Sequence, residues 1–108
     1  MVKCQAFQLD DLQDDRSKSY AEFRRRPGMS MGVYHLPVGG EDLQHPHAVD
    51  EVYVVLAGRG SLEIEGERIE VQPGRVVSVD VGADHHFVDV TQDLSVLVAF
   101  APASTPRG

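Results

Sequence analysis

A chain of 108 residues can build one domain with a single core, and its only cysteine, Cys4, rules out an intramolecular disulfide and a thiolate-built metal site. The net charge of −7 argues against nucleic acid, which calls for clustered Lys and Arg. No apolar run approaches about eighteen residues and the polar start MVKCQAFQLDD does not resemble a secretory signal, so no membrane span and a cytoplasmic location are expected.

Cys4 has no His or Arg beside it in sequence to lower its pKa and reads as a small apolar strand residue. Residues 8–28 are polar and charged, and a short helix is expected around Lys18 to Arg25, ended by Pro27-Gly28. Within it Arg24-Arg25-Arg26, offset by Asp10, Asp11, Asp14, Asp15 and Glu22, reads as a solvated face. We take residues 1–28 as an N-terminal extension packing on a domain formed by residues 29–108.

From Met29 onward the texture is that of short strands. The runs are Met29–Leu36, Glu51–Ala57, Ser61–Glu65, Arg68–Val71, Val76–Val81, His85–Val90 and Leu94–Phe100. Several alternate with period two: Leu62 with Ile64, Ile69 with Val71, and Val77, Val79 and Val81 each mark one face. Ala57-Gly58-Arg59-Gly60 and Glu65-Gly66-Glu67 read as tight hairpins, and Pro73-Gly74 and Gly82 as further reversals. An all-β protein of this kind must protect its sheet edges, which a closed or two-sheet jelly roll does.

Four residues carry the candidate chemistry: His45, His47, Glu51 and His85. Imidazoles and a carboxylate are donors of intermediate hardness suited to a divalent transition metal. Glu51 and His85 each open an apolar strand, and a carboxylate entering so apolar a run needs a partner. Two such strands in one small barrel can present these residues at the same mouth. The alternative is a polar loop with scattered surface histidines, against which the framing Gly39 and Gly58 weigh.

The spacing Gly39-x5-His45-x-His47-x3-Glu51-x6-Gly58 resembles the first cupin motif in full. Gly74-x5-Asp80-x-Gly82-x2-His85-x3-Asp89 is similar to the second, with Asp80 where that motif usually has Pro and Asp89 where it has Asn. Neither position is a ligand in the family. The resemblance covers about Met29 to Ala101. It implies a double-stranded β-helix, or cupin jelly-roll barrel, often a homodimer. It further implies that His45, His47, Glu51 and His85 hold one divalent transition metal: Fe, Mn, Ni or Zn. Four N/O ligands leave open positions on a six-coordinate ion, whereas Zn favours four-coordination.

Tyr53 follows Glu51 at strand spacing, so it is the candidate acid or substrate-binding hydroxyl, with a core tyrosine as the alternative. His35 precedes the motif with its direction undecided, His86 has the opposite parity to His85, and Asp84 and Asp89 are candidates to orient an imidazole. The expected function is a metal-dependent enzyme on a small organic substrate, of dioxygenase, isomerase or lyase type. A sensing barrel without turnover or a purely structural metal are the alternatives, since this fold hosts many chemistries. A homodimer is expected from the exposed sheet edges of so small a barrel.

Overall fold

The computed structural model describes residues 3–14, 19–42 and 48–103. The N-terminal region departs from expectation. A six-residue helix, α1 (Leu9–Asp14), carries Asp10 and Asp11 in its first turn, where carboxylates face the positive end of the helix dipole. The stretch expected as a helix from Lys18 to Arg25 instead contributes strand β1, Tyr20–Arg26. Pro27-Gly28 turns it directly into β2, Met29–Leu36, with Arg26 opposite Met29 and Tyr20 opposite Tyr34. Pairing with β2 overrides local helix propensity here, because Tyr20 gains core contacts that a charged surface helix would not supply. Cys4 is exposed and outside any strand, contrary to expectation.

The remaining strands are β3 (Asp50–Ile64), β4 (Glu67–Val71), β5 (Val76–Val79) and β6 (His85–Ala101). The order is β1-β2-β6-β3-β4, with β5 on the other edge of the first half of β3, and every pairing is antiparallel. Glu65 and Gly66 both take positive φ in the two-residue β3–β4 hairpin, as its sequence predicts. The hairpin expected at Ala57–Gly60 does not form. The chain runs straight through it, as it does through Thr91–Asp93, so β3 and β6 make one long ribbon. Register shifts at Val55/Ala57, Ala57/Arg59 and Arg59/Ser61 bend the ribbon in its middle. Gly58 permits the bend: its φ is +93°, and a β-carbon there would lie 2.7 Å from the Asp93 carbonyl carbon.

The bend folds the ribbon over its own apolar face into a double-stranded β-helix. Val55, Leu62, Val77, Val79, Leu94, Val96, Val98 and Phe100 fill the interior. Val81, expected on the same face as Val77 and Val79, lies past the end of β5 in a turn and is exposed. Closure shows in the aromatic contacts: Phe87, near the start of β6, meets Tyr53 of β3 edge-on at 5.1 Å and stacks on Tyr34 of β2 at 6.2 Å. Asp50 accepts from the Val81 amide and Asp93 from the Val38 amide, tying loops to the ribbon. No helix among the described residues is long and apolar enough to cross a membrane.

Candidate functional site

Glu51 and His85 lie at opposite ends of the ribbon, Glu51 opposite Phe100 and His85 opposite Ile64. Along an extended strand, Glu51 and Ile64 would be about 40 Å apart at ~3.3 Å per residue. Folding brings the Glu51 Oε1 and His85 Nε2 atoms to 2.9 Å, both side chains buried. Tyr53, two residues after Glu51 on the inward face, sends its hydroxyl to 2.9 Å from the same His85 nitrogen. Strand parity alone places Glu51, Tyr53 and Val55 inside, opposite Phe100, Val98 and Val96.

The imidazole is held at both nitrogens, by the Ala83 carbonyl at Nδ1 and by Glu51 and Tyr53 at Nε2. His85 Nδ1 lies 2.8 Å from the Ala83 carbonyl, an acceptor only, so Nδ1 carries a proton and Nε2 faces Glu51 and Tyr53. With Nε2 protonated it donates to Glu51; with Nε2 bare it accepts from Tyr53. Burial alone would lower the His85 pKa, but the Glu51 carboxylate and the Ala83 carbonyl outweigh it and raise the value above 6.5.

The other candidates separate clearly. Asp84 pairs with His86 at 3.3 Å, and Asp89 binds Arg68, so neither is seen to orient His85. Asp89 takes φ +51°, a conformation that Asp tolerates as Asn does. His35 faces away from the barrel interior, opposite in parity to Tyr34, and hydrogen-bonds Ser95 at 2.9 Å. His45 and His47 lie outside the described residues, and among the described residues no group of three or more metal-ligating side chains assembles.

Asp42 belongs to this region although sequence patterning does not single it out. It lies in a loop, where no periodicity assigns a face. Its Oδ2 accepts from the Phe87 amide at 2.7 Å and its Oδ1 from the Tyr34 hydroxyl at 3.0 Å, both buried. Burial first, then the Asp42 charge, push the Tyr34 pKa well above its ordinary value, so the phenol remains a donor. The carboxylate thus clasps the loop before His45 to β2 and to β6, two residues from His85. Asp42→Ala leaves a buried amide and hydroxyl unpaired and is expected to cost about 2–4 kcal/mol in urea unfolding. Asp42→Asn should cost under about 1 kcal/mol, since its amide can accept from Phe87 and donate to a turned Tyr34 hydroxyl.

A family model described as "Cupin domain" matches residues 32–100. An uncharacterized protein of Streptomyces coelicolor is 43% identical over 100 residues, spanning 90% of this chain and 95% of that one. Among solved structures, a Bacillus halodurans protein superposes with a TM-score of 0.78 at 19% identity, covering 96% of this chain and 86% of its own. An uncharacterized conserved Klebsiella pneumoniae protein with a double-stranded β-helix domain superposes with a TM-score of 0.77 at 15% identity, covering 97% and 100%. At such identities the two structures speak to the fold alone.

Proposed function

From the premise that this chain belongs to the cupin family, we propose that its barrel holds one divalent transition metal on His45, His47, Glu51 and His85 and acts on a small organic molecule. The observation that carries this reading is the convergence of Glu51 and His85, with the His85 Nε2 aimed inward by the Ala83 carbonyl. Their 2.9 Å separation suits a hydrogen bond. Four N/O donors would leave open positions on a six-coordinate ion, which favours Fe, Mn or Ni over Zn. Such an ion, when bound, supplies a Lewis acid or an oxygen-binding centre.

The chain's own groups do the rest. The apolar lining from Val55, Val77, Val96 and Val98 excludes water from the interior. Tyr53 holds a proton on its hydroxyl beside Nε2 and, when that nitrogen is engaged elsewhere, can offer it to a substrate oxygen. This inward hydroxyl favours an enzyme of dioxygenase, isomerase or lyase type over a barrel that only binds. Purified protein grown with Fe, Mn, Ni and Zn available should carry about one metal per chain, with identity read from anomalous scattering at several edges. Near-zero metal would remove the proposal.

The partner we propose is a second copy. Val52 and Val54 point outward beside Leu97, Ala99 and Val76, giving an apolar outer face on which Val76 is 61% exposed. Light scattering at micromolar protein should return a dimer mass, lowered to monomer by Val76→Glu. A wild-type monomer would refute the pairing.

A further inference from the structure

β1 brings a hydroxyl into the barrel that the ligand set does not use. Tyr20 lies opposite Tyr34, a core residue, so its ring faces inward. The ring leans across β2 at Gly32, where a β-carbon would stand 2.6 Å from its Cε1 atom. It meets Phe100 edge-on at a centroid distance of 6.2 Å, and Phe100 lies directly opposite Glu51. The glycine therefore provides the space that lets the ring lie down toward the Glu51 end of the interior. The hydroxyl oxygen is buried and has no hydrogen-bond partner among the described residues. Burial first, then the charges of Glu22 and Glu51, push its pKa up to about 12, so the proton stays on the oxygen at neutral pH. A buried donor without a partner opposes folding, and such groups persist where something else completes them.

We infer that the Tyr20 hydroxyl is a ligand-binding group, donating a hydrogen bond to a carbonyl or carboxylate oxygen of the small molecule held beside Glu51. This rests on reading the barrel as a small-molecule site. A neutral phenol donates one hydrogen bond in a fixed direction and adds no charge next to Glu51. It therefore suits an acceptor oxygen at that position. It also makes the N-terminal strand part of the site, although residues 20–26 precede both cupin motifs.

The test compares wild type with Tyr20→Phe, which keeps the ring over Gly32 and removes only the hydroxyl. Pyruvate and benzoate serve as oxygen-acceptor probes, with binding measured by calorimetry on the metal-loaded protein and metal content assayed in each sample. Probe affinity should fall at least about fivefold in Tyr20→Phe, the equivalent of one hydrogen bond. Metal content should be unchanged and thermal stability equal or higher. With tyrosine labelled at Cζ, the resonance missing from Tyr20→Phe should shift in wild type when a probe is added, which a merely structural hydroxyl would not do. Equal affinity in the two proteins, an unmoved resonance, or no binding of either probe at millimolar concentration would overturn the inference. Metal absent from both samples, with the affinity difference intact, would instead overturn the metal proposal and leave this one standing.

Discussion

His85→Ala and His47→Ala are each expected to strip the protein of most of its metal, from about one per chain to under about a tenth after desalting. Loss of a group that merely orients a ligand costs about 10–100-fold in affinity, and loss of the ligand itself costs more. Retained metal in both variants would disprove the ligand set. The pH dependence follows from the raised His85 pKa. In the metal-free protein the His85–Glu51 interaction contributes stability that is fully present below the unfolded value of 6.5 and is lost as pH rises through the folded value. A metal competes for the same Nε2, so uptake displaces a proton and affinity should climb as pH rises from 6.5 through the raised folded value of His85. Calorimetry in buffers of different ionisation enthalpy measures that proton release; a flat affinity across the range would show that Nε2 is not the atom engaged.

The second large effect is expected at Gly58, far in sequence from His85 but essential to its position. Gly58→Ala must hold a β-carbon at φ +93° and place it 2.7 Å from the Asp93 carbonyl carbon and the Leu94 Cα. The backbone strain costs about 1–2 kcal/mol, and forcing β3 away from β6 adds about 1–3 kcal/mol. Gly66 is the internal comparison: its φ is +84°, yet nothing lies within 4 Å of where a β-carbon would go. Gly66→Ala should therefore lose only the conformational part, about 1–2 kcal/mol. Urea unfolding of the two variants separates the terms. Equal losses would mean that the approach of β3 to Asp93 is not a constraint. A destabilised Gly58→Ala should also bind metal more weakly, because the bend at Gly58 brings the two ends of the ribbon together.

Some of this was legible from residue types alone. Alternation in Leu62/Ile64 and Val77/Val79 marked the inward face, and the parity that put Tyr53 with Glu51 and His86 apart from His85 is the parity observed. The glycines at Gly58, Gly66, Gly74 and Gly82 read as sites of unusual backbone, and all four take positive φ. What Gly58 does was misread, because a glycine that permits a bulge in a long strand looks the same in sequence as one that closes a hairpin. The polar stretch before Met29 misled for a related reason: helix propensity is local, whereas Tyr20–Arg26 pairs with a strand whose open edge only the folded sheet provides. His35 could not be assigned a direction because β2 is buried on both faces, so alternation carries no contrast there.

By itself the sequence determined the all-β architecture and, within the strands it marked, which residues share a face, because these depend on side-chain type and on a period of two. Which inward groups meet was decided by tertiary structure. Glu51 and His85 are neighbours only because a ribbon bent at Gly58 folds its two ends together, and Asp42 and Tyr20 reach the same interior from a loop and an edge strand. Periodicity assigns a face to each strand; the bulges and long-range pairing that close a barrel determine what lies across from that face.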